Sequence, residues 1–228
     1  MARLAGLVYV IVILTGIFSL GYVPAKLTVW DNAAQTFQNI SSSKQLFRVG
    51  IASSMLCYIA FLVLPFILYI ILHQTNTAHA KLMVLFAVVS VPISFINLQN
   101  KFSVLALVEG ADYLKIYSPQ QLQAQLMAYL ESNGSGNLLA QLFWGLWLYP
   151  FGFLVYRSGF MPKILGVLLM LGCAGYVIST FGETIIPNFS KCVISKFITL
   201  PATLGEMGIA LWLLIFGIKN HKNASDKI

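Results

Sequence analysis

Six residues of this chain could do chemistry: Arg48, Asn97, Asn100, Lys101, Glu183 and Glu206. Each is polar or charged, and each stands in or at the edge of a long apolar run. A charged side chain near the centre of a bilayer is costly, so one that is present there has a reason. Glu206 is the clearest case, because it lies about ten residues, or roughly 15 Å at the helical rise, beyond Lys196. Glu183 lies roughly 30 Å along its own run from Lys163 by the same rise, near the outer interface. Arg48 enters the second run at that interface. Asn97, Asn100 and Lys101 are spaced i, i+3, i+4, which puts them on one helical face. Together the six could line a polar pocket in the outer half of a helix bundle. It would take a small polar ligand, a lipid headgroup or a proton. The plainer reading is a structural Arg48–Glu206 ion pair that fixes helix register, since pairing is the ordinary way to make buried charge tolerable. Glu183 and Lys101 could also snorkel to water.

The remaining reactive residue types make no catalytic set. His73 and His79 flank a turn and His221 lies in the tail, which excludes a bis-histidine haem. Cys57 and Cys173 fall inside apolar runs, where cysteine acts as a small apolar residue. Cys192 is in a loop, and the odd count without any CxxC spacing argues against a disulfide framework or metal site. There is no Ser–His or paired-Asp arrangement for an intramembrane protease. Ser53, Ser54 and Ser94 read as partners of backbone carbonyls. Trp144, Trp147, Tyr149 and Tyr156 read as interface anchors and packing residues. No catalytic residue, cofactor or metal is expected.

The elements that carry these residues follow from hydropathy. Apolar residues make up 58% of the chain and charged residues 9%, with a mean hydropathy of +0.82. A soluble domain carries roughly 25% charged residues, so this chain cannot cover itself in water. A helical span needs about 20 mostly apolar residues. Six runs qualify: Leu4–Tyr22, Val49–Leu72, Leu82–Val108, Leu138–Tyr156, Ile164–Ile186 and Val193–Ile218. They are unbroken rather than alternating, which excludes an outer-membrane barrel. The fold class is an all-α membrane protein. It is a six-transmembrane-helix bundle in one integral membrane domain over residues 1–228, with short amphipathic helices in the outer loops. The third run is too long for one perpendicular span, and Asn97-Leu98-Gln99-Asn100-Lys101 interrupts it, so its helix either emerges near Asn97 and continues above the surface, the favoured reading, or runs on tilted. Met1-Ala2-Arg3 and Val23-Pro24-Ala25 resemble the flanks of a signal peptide, but the first run exceeds the usual 7–15 residue signal core and reads as a retained helix.

Basic residues divide evenly between the two sides. Arg3, Lys81, Arg157, Lys163, Lys219, Lys222 and Lys227 stand on one, and Lys26, Lys44, Arg48, Lys101, Lys115, Lys191 and Lys196 on the other. The first set sits tight against span ends, which favours both termini in the cytoplasm. The net charge of +7 is spread thinly, so nucleic acid is not an expected partner; membrane lipid is.

The loops carry their own signals. Ser118, Pro119 and Gln121 read as an N-cap, a first helical residue and a capping box. Leu122, Leu126, Tyr129 and Leu130 then recur at helical spacing, and Asn133-Gly134 reads as the stop. This would be a short amphipathic helix that either lies on the membrane or caps the bundle; it has no basic residues for an anionic lipid surface. Asp31 would cap an earlier helix bearing Ala33, Phe37 and Ile40, and Ser42 with Gln45 would form a second capping box. In the fifth run Gly172, Gly175, Ser179 and Gly182 make a small-residue stripe, matched by Ala202, Gly205 and Gly208 in the sixth. Small residues let helices approach closely in lipid, so these two helices should pack together; a homodimer seam is the other reading.

Several segments resemble the bacterial membrane family known as domain of unknown function 4386. They are Ala2–Leu7, Leu46–Gly50, Gly110–Leu114 followed by Ser118–Gln123, Tyr156–Leu169, and Gly205-Glu206 followed by Ala210–Leu213. The resemblance covers nearly the whole chain in order, and the Arg157–Leu169 hairpin is its most distinctive piece. It departs at Trp147, where many members carry a His, and any role of that His does not carry over. The resemblance implies a multi-pass protein of the bacterial cytoplasmic (inner) membrane and brings no activity. The leading functional reading is a non-enzymatic module that binds a ligand or partner. The alternatives are a small secondary transporter or proton-coupled carrier, and an intramembrane enzyme, which lacks a nucleophile and base.

Overall fold

A computed structural model describes residues 1–217. The end of the last predicted span at Ile218, and Lys219, His221, Lys222 and Lys227, lie outside the described residues. The described residues form helices and loops without a strand. The helices are α1 (Ala2–Leu27), α2 (Ala33–Ser42), α3 (Lys44–Leu72), α4 (Thr77–Glu109), α5 (Pro119–Leu146), α6 (Leu148–Ser158), α7 (Lys163–Ile185), α8 (Val193–Phe197) and α9 (Leu200–Ile215). Six helical stretches are long and apolar enough to cross a membrane: α1, α3, α4, α5 with α6, α7, and α8 with α9. Their outward faces are apolar too. Along α3, Val49, Leu56, Ile59, Val63, Phe66 and Ile70 are all exposed. A water-soluble protein does not leave such a surface bare; lipid covers it. The chain is a multi-pass membrane protein.

The chain divides into two compact units. One holds Ile11–Leu62 and Val88–Gln141. It therefore takes in the later part of α1, α2, the start of α3, the end of α4 and most of α5. Its core packs Val23, Leu27, Ile40, Phe47, Ile51 and Leu98 with Val104, Leu107, Leu126 and Leu130. In α1, a π-helical turn over Ile17–Tyr22 interrupts the α-helical ladder. One extra residue per turn is costly in hydrogen-bond geometry and is found disproportionately at functional sites. Thr36 ties α2 back to the end of α1, accepting from Val29 N at 2.8 Å and donating to Val29 O at 2.9 Å.

The other unit holds Met1–Val10, Val63–Ala87 and the described residues from Leu142 onward. Here α6 and α7 form a hairpin. Gly159, at φ 73°, ends α6 in the left-handed region that glycine tolerates, and Pro162 opens α7. Gly152 and Gly166 face each other across it: a methyl on Gly152 would sit 2.5 Å from Gly166 O, and one on Gly166 would sit 2.6 Å from Gly152 O. The α7 stripe meets α9 as the sequence predicts. A methyl on Gly172 would lie 2.6 Å from the Ala202 Cα, and Gly205 abuts Leu169. In α1, Gly6 lies against the α9 backbone, where a methyl would come within 2.7 Å of the Leu214 Cα.

Several local expectations are corrected. Asn133-Gly134 does not stop a helix, because α5 runs unbroken through both to Leu146. The Asn133 side chain donates to Asn97 O instead of serving an exposed helix end. The predicted short amphipathic helix is thus the first half of a 28-residue one. Its capping box does form: Gln121 N donates to Ser118 Oγ at 3.3 Å and Ser118 N to Gln121 Oε1 at 2.8 Å. The cap of α2 is Asn32, whose side chain accepts from Gln35 N, rather than Asp31. Ser42 makes no box with Gln45, since its hydroxyl donates back to Gln38 O and Asn39 O. The expected continuation of α4 past Asn97 is present, without a break, and Asn97 and Lys101 are buried at 6% exposure each.

Candidate functional site

Lys101 is the most unusual side chain in its unit. It is buried, and its ammonium donates to Ser19 O and to Ser54 Oγ, both at 3.3 Å. These are long bonds to neutral acceptors. Among the described residues no carboxylate lies within ion-pair distance of it, the two ion pairs there being Arg48–Glu109 and Lys115–Asp112. Two bonds leave one of its three donors for another partner. Ser19 belongs to the π-helical turn of α1, so the carbonyl that meets Lys101 comes from the distorted stretch of that helix. The Ser19 hydroxyl is buried and has no hydrogen-bond partner among the described residues. Such a group, left unmet, costs free energy comparable to a lost hydrogen bond.

Both residues line a cavity of about 170 Å³. Its polar end holds Ser19, Lys101, Asn133 and Asn137, and Val23, Leu27, Phe47, Ile51 and Leu130 line the rest. Trp30 stands at it as well. A network of amides fixes the polar end. Asn97 Nδ2 donates to Asn133 O and to Asn137 Oδ1, both at 2.9 Å. Asn100 Nδ2 donates to Asn97 Oδ1 at 3.0 Å, and Asn133 Nδ2 to Asn97 O at 3.3 Å. Gly136 makes room for this network, because a methyl there would collide with the Asn97 amide.

Arg48 pairs with Glu109, joining the start of α3 to the end of α4. Both side chains are substantially exposed, at 55% and 40%. Exposed pairs contribute about 0–1 kcal/mol. Replacing Arg48 by Ala should therefore change the stability of the detergent-solubilised protein by less than about 1 kcal/mol, read as a shift in its thermal midpoint. A larger loss would show that this pair carries structure.

In the other unit, Glu206 is half-buried and accepts a hydrogen bond from Tyr9 Oη at 2.8 Å. Tyr9 is buried among the Trp147 and Phe151 rings, with centroids 6.0 and 6.4 Å away. Glu183 is exposed and accepts a 3.4 Å bond from Ser179, one turn earlier in α7. Of the six residues singled out in the sequence, Asn97 and Asn100 share a network, Lys101 follows them on the same face, and Arg48, Glu183 and Glu206 have partners of their own.

The family described as Domain of unknown function (DUF4386) matches residues 4–217. The chain belongs to this family. Over 81 residues the DUF4386 protein is also 38% identical to an uncharacterised protein of Archaeoglobus fulgidus, a match covering 36% of this chain and 46% of the relative. The aligned region thus spans about half the length of that archaeal relative. No solved structure matches.

Sequence reasoning missed Ser19, Ser54, Asn133 and Asn137 as neighbours of Lys101 and Asn97 at this candidate site, and Glu109 and Tyr9 as partners of Arg48 and Glu206. Glu109 had a readable signal. It closes α4 and Arg48 lies in the second turn of α3, levels that meet when consecutive helices run antiparallel. The serines had none, since a lone Ser in an apolar run reads as a residue bonded to its own helix. Ser94 fits that reading, with its Oγ on Ser90 O at 2.8 Å, whereas Ser53 Oγ reaches a backbone carbonyl of another helix, Thr15 O of α1, at 3.1 Å. Ser54 does both jobs, donating to Gly50 O at 3.1 Å while accepting from Lys101.

Proposed function

We propose that this protein is a non-enzymatic membrane module that holds a small polar ligand in the cavity beside Lys101. The observation that carries the reading is a buried lysine that has no carboxylate partner among the described residues, lining a cavity together with a buried hydroxyl likewise without a partner among them. Charge in such a place is a functional-site hypothesis by default. Asn97 and Asn100 serve as supports of the site and Lys101 as its binding group, with Ser19, Asn133 and Asn137 completing the polar end. Arg48, Glu183 and Glu206 fall outside it, each having a partner elsewhere. In a bacterial cytoplasmic membrane with both termini inside, this cavity opens toward the outer side, where the α1–α3 and α4–α5 connections lie.

The reading predicts a trade of stability against function. Lys101→Met keeps the length of the stem and removes the ammonium. It should raise the stability of the purified, ligand-free protein by about 1–3 kcal/mol, by analogy with buried ionic groups replaced by apolar ones. Thermal or detergent-induced unfolding would show it. A loss of stability as large as that of a core truncation would mean that Lys101 is held for structure, and the binding reading would fall.

A further inference from the structure

We infer that the ligand of the Lys101 cavity is a small monocarboxylate with a compact apolar body, of about the size of benzoate. The inference rests on the binding reading above and names the class of molecule. Three features of the cavity select that class.

The first is charge. The cavity offers one ammonium and no second cation. A monoanion matches it, giving a neutral, charge-assisted pair. A phosphate group carries nearly two charges and three acceptor oxygens, and its usual sites gather arginines or several donors. Here the other polar side chains of the lining are all neutral: the hydroxyls of Ser19 and Thr28 and the amides of Asn133 and Asn137, with the Trp30 indole. The second is donor placement. One donor of Lys101 remains after its bonds to Ser19 O and Ser54 Oγ, and the Ser19 hydroxyl has no partner among the described residues. Two donors suit the two oxygens of one carboxylate. A neutral alcohol would leave the buried charge without a counter-ion.

The third is size. An apolar cavity of about 150 Å³ accepts benzene. This one measures about 170 Å³ and is apolar beyond its polar end, with Phe47, Ile51 and Leu130 among its walls. An aromatic ring or a short branched chain fills it with the carboxylate at Lys101. A long acyl chain does not fit inside.

The test uses the full chain purified in detergent, with benzoate, benzyl alcohol and inorganic phosphate as probes in equilibrium dialysis. Benzoate should bind saturably at one site per chain, and Lys101→Met should weaken it at least tenfold, the loss of one charge-assisted contact. Benzyl alcohol and phosphate should bind at least tenfold more weakly than benzoate. Equal benzoate binding by wild type and Lys101→Met would overturn the inference. If phosphate or benzyl alcohol binds best and Lys101→Met abolishes that binding, the cavity is a ligand site but not for a carboxylate. If no probe binds, the carboxylate inference falls. If, in addition, Lys101→Met is strongly destabilising, the binding reading falls with it. A second measurement on the wild type needs no variant. Photolabelling with 4-azidobenzoate should mark peptides containing Phe47, Ile51 or Leu130 and be blocked by excess benzoate, and labelling confined to other peptides would sink the proposal.

Discussion

Replacing Asn97 by Ala should destabilise the protein by about 2–4 kcal/mol, at a net 1 kcal/mol or so per hydrogen bond with a further penalty for partners left unmet. The side chain donates to Asn133 O and Asn137 Oδ1 and accepts from Asn100 Nδ2. Removing it leaves Asn100 Nδ2 and Asn137 Oδ1 without this partner in a partly buried setting, while Asn133 O keeps its helical partner. Hydrogen bonds between membrane helices average nearer 0.6 kcal/mol in double-mutant cycles, which places the expected loss toward the lower end if the denatured chain finds other partners. The sharper test is a pair of substitutions. Gly136→Ala alone should also destabilise, because its methyl would collide with the Asn97 amide. With Asn97→Ala beneath it, that methyl has room. The double variant should therefore cost at least about 1 kcal/mol less than the sum of the single changes, the signature of residues in direct contact. Unfolding in mixed detergent would give all three values. Simple additivity would mean that Gly136 is there for some reason other than Asn97. Gly134→Ala is the control: nothing lies within 4 Å of the added methyl, so replacing this helical glycine should be neutral or stabilising by up to about 1 kcal/mol.

The second large effect belongs to the α6–α7 hairpin. Gly152→Ala and Gly166→Ala should each cost about 1–3 kcal/mol, the usual range for overpacking. The obstacle in each case is backbone, which cannot rotate aside: the methyl from Gly152 meets Gly166 O at 2.5 Å, and that from Gly166 meets Tyr156 N at 2.7 Å. The two helices would have to separate. Because both substitutions force the same separation, the second should add less than the first, and the double variant should fall short of the sum. A hairpin that absorbed either methyl without loss of thermal stability would show that α6 and α7 are not held at backbone contact.

The spans were legible because hydropathy integrates over about 20 residues and no single residue can mislead it. The α7–α9 contact was legible for a related reason, since a run of small residues has few other uses in lipid. Where one residue had to carry the inference, success depended on what lay across from it. Ser118 and Gln121 form their box because both ends of that motif lie within one turn. Asn133-Gly134 misleads because Gly is ambiguous. It can end a helix through its backbone freedom, whereas α5 passes through it and the chain uses the neighbouring Asn133 and Gly136 for the packing against Asn97. The face shared by Asn97, Asn100 and Lys101 was correctly placed by periodicity. Its partners were not, because they are neutral residues on other helices and charge reasoning looks for carboxylates. Likewise nothing near Glu206 in sequence points to Tyr9, which is 197 positions away.

That separation has a consequence for how the protein is made. The α6–α7 hairpin joins residues only about a dozen positions apart, and contacts of this kind form early. The bond between Tyr9 and Glu206, and the seat of Gly6 against the α9 backbone, must wait until almost the whole described chain has left the ribosome. Of the contacts that α1 makes in that unit, those with α9 are thus among the last to form. Before α9 arrives the Tyr9 ring can already pack on Trp147 and Phe151, but its hydroxyl lacks the Glu206 acceptor and the Gly6 notch stays open. A stalled or truncated product lacking α9 would keep both unfilled, marking itself as incomplete to any quality-control protease that recognises an unseated helix.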